Sequence, residues 1–221
     1  MRNDVVWSEV DEYFIEKLIT LDSTFEHVLD ANKEAGIPEI DVSPPQGKLL
    51  YLLTKMKAAK NVLEIGTLGG YSSLWFAHAL PENGKVYTLE VEPEHAEIAR
   101  QNIKRSGYEQ QIEIIVGKAL DTLPTLEEKG LKFDFIFIDA DKENNPQYLN
   151  WALKLANPGA LIIADNVVRN GEVIEENSDD KRVQGVRQFI DLLNKDPRID
   201  STAIQTVGQK GYDGFVMGIV R

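Results

Sequence analysis

The sequence predicts an α/β protein in which a mostly parallel β-sheet carries helices on both faces. Three observations support this prediction. From Val62 onwards, short apolar stretches typical of strands alternate with stretches of helical periodicity. A glycine-rich turn joins the first of these strands to the next helix, and the chain ends in two strand-like stretches with no helix between them. The alternation requires parallel strands with right-handed crossovers, and the final pair implies a hairpin with one antiparallel strand.

Residues 1–45 are expected to form a helical prefix followed by a loop. Apolar residues recur in this prefix at steps of three and four, which indicates one face of a single helix or of two consecutive helices. These residues are Val10, Phe14, Leu18, Leu21, Phe25 and Val28. Such a stripe usually packs on the rest of the domain or on a partner subunit, and a role in gating the substrate is the alternative.

The remaining elements are predicted from periodicity and from turn residues. In chain order they are a helix through residues 49–56, a strand ending at Gly66, a helix through 74–80, a strand at 85–91, a helix at 93–105, a strand at 112–116, a helix at 120–128, a strand at 133–139, a helix at 146–155, a strand at 160–164, a helix through 183–193 and strands at 202–207 and 214–220. A short loop containing Gly208 and Gly211 joins the last two strands. The polar segment 169–180 is expected to be a mobile lid. Residues 1–221 are expected to form one domain.

The composition favours a cytosolic protein that acts on a small molecule. Of the 221 residues 43% are hydrophobic, which is enough for one sizeable core. No stretch approaches the roughly 20 apolar residues that span a bilayer, and the N-terminus is charged where a signal peptide would be apolar. The formal net charge of −12 disfavours binding to a nucleic-acid backbone. The absence of cysteine excludes disulfides, thiolate zinc sites and cysteine nucleophiles.

The glycine-rich turn in VLEIGTLGGYSS, residues 62–73, is predicted to bind a nucleoside cofactor. Gly66, Gly69 and Gly70 expose backbone N–H groups beside a helix N-terminus and let a ligand approach the main chain. A dinucleotide fingerprint would read G-x-G-x-x-G, and the central glycine that admits a pyrophosphate is missing here. NAD is therefore disfavoured as the cofactor.

Two acidic residues are candidates for contacts with this cofactor. Glu90 ends the second strand, 24 residues after Gly66, where an acid can accept the hydroxyl protons of a ribose. The alternative for Glu90 is an ordinary surface acid before a helix. Glu64 lies inside the end of the first strand, where its carboxylate could receive a cationic amino group.

Oxygen-bearing side chains follow the fourth and fifth strands. Asp139, Asp165 and the amide oxygen of Asn166 would supply three hard donors at one edge of the sheet, which suits an octahedral Mg²⁺ with positions left for water and substrate. Two clustered carboxylates repel each other, and a cation removes that repulsion. The alternative is that Asp165 and Asn166 only cap a turn and that Asp141 is solvated.

Lys142 is the candidate base of this cluster. An ammonium group beside a divalent cation, on a partly buried stem, gives up its proton more readily and could then accept one from a substrate. The alternative is a surface lysine at a helix start. His27, His78 and His95 are weak candidates, because they fall in helical patterns or in the prefix, away from strand ends.

Together these motifs resemble those of the cation-dependent O-methyltransferases, the family that contains catechol O-methyltransferase and the caffeoyl-CoA O-methyltransferases. The resemblance extends over residues 42–221. It rests on Ser43-Pro44-x-Gln46-Gly47, the stretch LEIGTLGGYS at 63–72, Glu90, Gly117-Lys118-Ala119, the stretch IDADK at 138–142, Ala164-Asp165-Asn166 and Gly211-Tyr212-Asp213-Gly214. Several motifs in one order are more specific than any one of them.

The resemblance implies a Rossmann-like class I methyltransferase fold with seven strands, S-adenosylmethionine as cofactor and a homodimer. By the same resemblance Asp139, Asp165 and Asn166 bind a divalent cation, Mg²⁺ with Ca²⁺ or Mn²⁺ as alternatives, and Lys142 and Asp139 act in catalysis, with Lys142 taking a phenolic proton. The cofactor would contact Val42, Glu64, Gly66, Thr67, Tyr71, Ser72, Glu90, Ala119 and Asp139. Catechol O-methyltransferase has His-Trp where this chain has Ala140-Asp141, as in the caffeoyl-CoA branch, which leaves the walls of the acceptor pocket undefined.

The implied function is metal-dependent methylation of a vicinal diphenol, such as a catechol, a flavonoid or a hydroxycinnamoyl compound. A tRNA hydroxyuridine O-methyltransferase is the nearest alternative, disfavoured by the acidic charge. More distant alternatives are an NAD-dependent oxidoreductase and an Asp-x-Asp phosphatase, which normally carries that motif on an early strand. A non-catalytic S-adenosylmethionine-binding protein would not need a metal triad beside a lysine.

Overall fold

The computed structural model describes residues 2–19 and 23–221 and contains the predicted α/β sheet. The strands are β1 Asn61–Ile65, β2 Lys85–Glu90, β3 Ile112–Val116, β4 Phe133–Ile138, β5 Ala156–Asp165, β6 Ile199–Gly208 and β7 Gly211–Val220. The helices are α1 Arg2–Leu18, α2 Ser23–Glu34, α3 Pro44–Lys57, α4 Tyr71–Ala79, α5 Pro93–Arg105, α6 Ala119–Glu128, α7 Asn145–Leu155 and α8 Lys181–Lys195. Two short 3₁₀ segments, Lys142–Asn144 and Arg169–Ile174, follow the ends of β4 and β5.

The strands form one sheet in the order β3-β2-β1-β4-β5-β7-β6. Strands β1 to β5 pair in parallel with their neighbours, and β7 is antiparallel to both β5 and β6. The prediction of a mostly parallel sheet with one antiparallel strand is confirmed. The strand order reverses between β1 and β4, and ligands bind in such sheets beyond the carboxyl ends of the strands at this reversal.

Each face of the sheet packs on its own set of helices. One apolar cluster joins the sheet to α2, α3, α4 and α5, and the other joins it to α6, α7 and α8. Successive residues of β4 alternate between them, since Phe135 and Phe137 belong to the first cluster and Ile136 and Ile138 to the second. None of the helices in the described ranges combines the length and the apolar composition that crossing a membrane requires.

Three strands are longer than predicted. Strand β5 begins at Ala156 rather than residue 160, and β6 and β7 each begin three residues earlier than expected. Gly208 and Gly211 therefore pair with each other inside the hairpin, and the connecting loop is reduced to Gln209 and Lys210. The early part of β6 is polar, and its pairing with β7 extends the strand beyond what local preference indicates.

The prefix divides into two helices with different surroundings. Phe25 and Val28 of α2 are buried in the core, whereas Val10, Phe14 and Leu18 of α1 are 44%, 46% and 69% exposed. The packing role predicted for the stripe therefore applies to α2 within this chain, and the apolar face of α1 lies on the surface. Leu21, which was assigned to the same stripe, lies outside the described residues.

Helix α1 is attached to the tip of the β6–β7 hairpin. The Asp11 carboxylate accepts a hydrogen bond from the backbone N–H of Gln209 at 2.8 Å. A Cβ at Gly208 would lie 2.3 Å from an oxygen of the same carboxylate, so this approach requires glycine. The hairpin tip thus fixes the outer prefix helix relative to the sheet.

Candidate active site

The predicted site residues meet at the carboxyl ends of four neighbouring strands. The register pairs Ile65 with both Leu89 and Ile138, and it pairs Ile138 with Ala164. The next residues along these strands therefore lie side by side at one edge of the sheet. They are Gly66, Glu90, Asp139 and Asp165.

The glycines of the turn are required by the close packing of protein groups around it. Gly66 has a φ of +108°, and a Cβ there would lie 2.2 Å from the carbonyl oxygen of Asp139. A Cβ at Gly69 would lie 2.0 Å from Oδ1 of Asn32 on α2. Any larger residue at either position would push the turn away from β4 or from the prefix. The glycine pattern therefore has a structural reason in addition to the predicted approach of a ligand.

Glu90 holds the turn through its carboxylate. Its Oε2 accepts the backbone N–H groups of Thr67 and Leu68 at 3.2 and 2.7 Å, and its Oε1 accepts that of Glu92 at 2.9 Å. A carboxylate offers about four acceptor positions, so Oε1 retains one for a ligand hydroxyl. Nδ1 of His95 lies 3.8 Å from Oε1. The prediction that His95 is remote from strand ends is wrong, because the first turn of α5 folds back over the end of β2.

Glu64 is fully buried and surrounded by hydroxyl groups. Its carboxylate accepts hydrogen bonds from Ser72 at 2.5 Å, from Thr88 at 2.7 Å and from Ser73. The pKa of Glu64 is raised to about 7, because burial and the charge of Asp139 outweigh the three hydroxyl donors, which lower it. A cationic group that binds beside this buried carboxyl would stabilise its ionised form.

The other predicted cofactor contacts lie around the same crevice. Val42 is buried just before α3, whose first turn is capped by Ser43. Tyr71 is buried at the first position of α4, and Thr67 is buried in the turn. Ala119 is half-buried at the first position of α6, directly after β3.

Lys142 is buried and paired with Asp139. Its Nζ lies 2.8 Å from Oδ1 of Asp139, and the residue is only 6% exposed. The alternative of a surface lysine is therefore wrong. Lys142 begins the 3₁₀ segment between β4 and α7, and a Cβ at Gly185 would lie 2.2 Å from the carbonyl oxygen of Lys142. Helix α8 thus packs closely on the backbone that carries this lysine.

Asp165 lies beside this pair, 5% exposed. Burial raises its pKa to about 7, the charge of Asp139 acts in the same direction and that of Lys142 in the opposite one. Its Oδ2 accepts a hydrogen bond from Nε2 of Gln46 at 2.6 Å, although the two residues are 119 positions apart in the chain. Gln46 is a site residue to which the sequence reasoning assigned no role.

Asn166 follows in a left-handed conformation, with a φ of +57°. Its backbone N–H donates to Oδ1 of Asp165 at 2.8 Å, which is the turn-capping contact that was considered as the alternative. The carboxylate of Asp213 on β7 holds the turn by accepting the backbone N–H groups of Val168 and Arg169 at 2.9 and 3.0 Å. Turn capping and ligation are compatible, because capping uses the backbone of Asn166 and ligation would use its side chain.

Asp141 points to α7 instead of the crevice. Its carboxylate accepts hydrogen bonds from the Tyr148 hydroxyl and from the Asn144 amide, both at 2.5 Å. Within residues 2–19 and 23–221, no group of three or more His, Cys, Asp or Glu side chains has a spacing suited to a metal ion. A cation at this edge would therefore depend on the amide oxygen of Asn166 in addition to Asp139 and Asp165.

The chain is similar to known proteins in sequence and in fold. A family model described as O-methyltransferase matches residues 19–215. The catechol O-methyltransferase of Niastella koreensis is 48% identical over 220 residues, which cover 99% of this chain and all of that protein. Caffeoyl-CoA O-methyltransferase 2 of Petunia hybrida is 34% identical over 83% of this chain and 86% of its own length. The crystal structure of an O-methyltransferase from Bacillus cereus in complex with SAH superimposes with a TM-score of 0.97, with 54% identity over 98% of this chain and 99% of the other.

The chain belongs to the O-methyltransferase family.

Membership of this family confirms the resemblance, the Rossmann-like fold and the prediction of a methyl-transferring enzyme. It also removes the oxidoreductase and phosphatase alternatives. The roles of individual site residues stay predictions. What the sequence reasoning missed are the polar partners of the predicted residues, namely Gln46, Ser73, Thr88 and Asp213. Gln46, Ser73 and Asp213 lie in stretches that the sequence analysis quotes, whereas no motif includes Thr88.

Proposed function

We propose that this protein transfers the methyl group of S-adenosylmethionine to one hydroxyl of a vicinal diphenol in a reaction that depends on a divalent cation. The proposal rests mainly on one observation: the buried Lys142 pairs with the half-buried Asp139 beside the buried Asp165. This group lies next to the glycine turn, which is held by Glu90. A base, a set of oxygen donors and a nucleoside cradle would thus share one crevice.

The glycine turn would hold the methyl donor. The similar Bacillus cereus enzyme binds SAH, the demethylated form of the donor, on nearly the same backbone. Oε1 of Glu90 has an acceptor position for a ribose hydroxyl, and the Glu64 carboxylate suits the cationic amino group at the other end of the donor. The remaining contacts are proposed for Val42, Gly66, Thr67, Tyr71, Ser72, Ala119 and Asp139.

The donor set at the end of β4 and β5 fits a divalent cation. Asp139 and Asp165 place two carboxylates side by side in buried surroundings, and the raised pKa of Asp165 reflects their mutual repulsion as well as burial. Carboxylate and amide oxygens are the ligands that Mg²⁺ prefers, with Ca²⁺ or Mn²⁺ as alternatives. Asp139, Asp165 and Asn166 would hold the ion. When bound, it would supply a Lewis acid that makes a phenol more acidic.

Lys142, in its neutral amine form, would then remove the phenolic proton. Its Nζ is held by Asp139 and excluded from bulk water, so it reaches into the crevice from a fixed position. The phenolate oxygen forms a bond to the methyl carbon as the carbon–sulfur bond breaks, and the sulfonium becomes a neutral thioether. The proton remains on Lys142 until it is released to solvent. Most of the rate enhancement would come from positioning the two reactants in line.

The acceptor class follows from the relatives and from the charge. The catechol-methylating relative is more similar to this chain, and over more of its length, than the caffeoyl-CoA-methylating one. A small catechol is therefore the acceptor that we favour over a flavonoid or a hydroxycinnamoyl thioester. The net charge of −12 disfavours tRNA.

An assay of methyl transfer from labelled S-adenosylmethionine tests this function. The panel contains vicinal diphenols, their monophenol analogues and bulk tRNA, each with and without EDTA. Methylation of the diphenols alone, abolished by EDTA and restored by excess Mg²⁺, is the expected result. Equal methylation of monophenols in the presence of EDTA would contradict both the cation and the acceptor class.

The substitution Glu90→Ala is expected to weaken S-adenosylmethionine binding by about 1.5 to 3 kcal/mol, the scale of losing charge-assisted hydrogen bonds. The loss has two sources, because the carboxylate holds the glycine turn and would also accept a ribose hydroxyl. Titration calorimetry measures the affinity. Glu92→Ala removes an exposed acid two residues away and serves as the control. Unchanged affinity in a folded Glu90→Ala protein would remove Glu90 from the site.

The segment 169–180 is proposed to be a lid over the acceptor. It begins with Arg169, Asn170 and Gly171 in left-handed conformations and is tied to α8 through Arg187, which donates to the carbonyl oxygen of Val173 at 2.7 Å. We expect fast amide hydrogen exchange in residues 174–180 of the free protein and slower exchange with cofactor and acceptor together. Slow exchange that ligands leave unchanged would rule out a lid.

A homodimer is proposed as well. The exposed apolar face of α1 includes Val6, Val10, Phe14 and Leu18, and a second copy of the chain would cover it. Sedimentation velocity checks this directly, since a dimer has twice the 24.8 kDa mass of the chain. A monomer at micromolar concentration would contradict it.

A further inference from the structure

We infer that Thr88 is a positioning residue for the donor site, because its hydroxyl, supported by that of Thr67, holds the Glu64 carboxylate as an acceptor for the amino-acid end of the methyl donor. The inference rests on the proposed donor site and adds Thr88 to it. It also gives the side chain of Thr67 a function separate from that of its backbone.

The three side chains form one chain of hydrogen bonds. Thr88 lies directly opposite Glu64 in the β1–β2 register, and its hydroxyl donates to Oε2 of Glu64 at 2.7 Å. The hydroxyl oxygens of Thr67 and Thr88 are 2.6 Å apart. A hydroxyl has a single hydrogen, and that of Thr88 goes to the carboxylate. When Glu64 is ionised, the hydrogen between the two threonines therefore comes from Thr67, which makes the chain run from Thr67 through Thr88 to Glu64.

Glu64 and Thr88 lie at the crevice end of a sheet face whose earlier positions on β1 and β2 are apolar. Val62 and Val86, two residues earlier on the same face of β1 and β2, are fully buried in the cluster beneath α4. Thr88 is itself fully buried, and valine has nearly its volume and its preference for strands. A buried hydroxyl without a partner is costly, so packing alone would favour valine here. On this face of β1 and β2, polar side chains begin with Glu64 and Thr88, where the strands reach the crevice.

The surroundings of Glu64 explain why each hydroxyl donor affects the ionisation of its carboxylate. Thr88 from β2 and Ser72 and Ser73 from α4 present neutral hydroxyls to it, while Asp139 at the end of β4 contributes a negative charge. Burial and Asp139 favour the protonated form, and the donors oppose them. Loss of one donor should raise the pKa of Glu64 further. Less of the carboxylate would be ionised at pH 7, and the difference should shrink at pH 9, where it is ionised in both proteins.

Thr67 also connects the two ends of the donor site. Its backbone N–H donates to Oε2 of Glu90 at 3.2 Å while its hydroxyl serves Thr88. One turn residue therefore contacts the acid proposed for the ribose and the chain that leads to the acid proposed for the amino group. A shift of this turn would disturb both ends of the bound donor together.

The test compares Thr88→Val, which keeps the shape and loses the hydroxyl, with Thr88→Ser, which keeps the hydroxyl. Two ligands are titrated by calorimetry at pH 7 and pH 9. They are S-adenosylhomocysteine and 5′-methylthioadenosine, which lacks the amino-acid end. Thr88→Val should weaken S-adenosylhomocysteine binding roughly tenfold at pH 7, the scale of one hydrogen bond to a charged group, and less at pH 9. Binding of 5′-methylthioadenosine should be unchanged, and Thr88→Ser should behave like the unmodified protein.

Three further variants keep the result decisive. The hydroxyl of Thr67 reaches Glu64 through Thr88, so Thr67→Val should cause a smaller loss of the same kind. The double variant should cost less than the sum of the two single losses, because the hydrogen-bond chain is already broken. If Thr88→Val does not fold, the same ligand and pH comparison on Thr67→Val decides the inference. Equal weakening of both ligands, or no weakening of either, overturns the role of Thr88. If Glu64→Gln leaves the ratio of the two affinities unchanged, the proposed role of Glu64 fails instead.

Discussion

Replacement of Lys142 by alanine is expected to lower turnover by roughly 10²- to 10⁴-fold at neutral pH, the usual contribution of a positioned general base. The substitution removes the buried side-chain nitrogen 2.8 Å from Asp139, while the glycine turn and its acids on β1 and β2 are untouched. The affinity for S-adenosylmethionine should therefore stay within about a factor of two. Steady-state kinetics with a diphenol acceptor, combined with calorimetry for the donor, measures both quantities.

Raising the pH should partly rescue this variant. A phenol ionises without help as the pH approaches its own pKa of about 10. The rate of the Lys142→Ala protein should therefore climb over a range in which the unmodified enzyme is already flat. Lys154→Ala, which removes an exposed lysine on α7, is the matched control and should leave the pH profile unchanged. Wild-type turnover in Lys142→Ala at neutral pH would show that this lysine takes no part in proton removal.

The substitution Asp165→Ala should abolish cation-dependent turnover and leave donor binding intact. Changes in groups that merely support a metal ligand cost about 10- to 100-fold in metal affinity, so loss of a ligand itself should cost at least about 100-fold. Asp165 ends β5, whereas the donor residues belong mainly to β1, β2 and the turn. Mn²⁺ titration followed by electron paramagnetic resonance measures the cation affinity independently of activity.

Asp141→Asn is the control for this experiment. The new amide oxygen can accept the hydrogen bond from Asn144, and the new amide nitrogen can donate to the Tyr148 hydroxyl oxygen. The substitution thus removes a nearby charge that points away from the crevice and retains both partners. We expect Mn²⁺ affinity close to that of the unmodified protein. An Asp165→Ala protein that binds Mn²⁺ as tightly as the control would exclude Asp165 as a ligand, and the buried carboxylate would then need another explanation.

Local patterns were sufficient to predict the order of strands and helices. Burial of a central strand between two helical layers requires a continuous apolar run, as in residues 135–138, and such runs can be recognised without knowledge of their partners. The strand ends could be located in the same way, because the apolar run stops where the crevice begins. That is why Glu90, Asp139 and Asp165 could be assigned to one edge of the sheet before their contacts were known.

Contacts between distant parts of the chain could not be predicted from local patterns. Gln46 reaches Asp165 across 119 positions, and Asn32 on α2 fills the space left by Gly69. The two prefix helices share one apolar period, yet one is buried and the other is exposed. The period shows that an apolar face exists, and only the packing of the folded chain determines what covers it.

The sequence by itself therefore determined the α/β class, the glycine turn and the acids at the strand ends, since these depend on the spacing of neighbouring residues. The tertiary structure decided which polar groups surround those acids. It buried Lys142 against Asp139 and Glu64 against Thr88, and it turned Asp141 away towards Tyr148. Each of these outcomes depends on strand register and helix packing, which bring together residues that no local pattern connects.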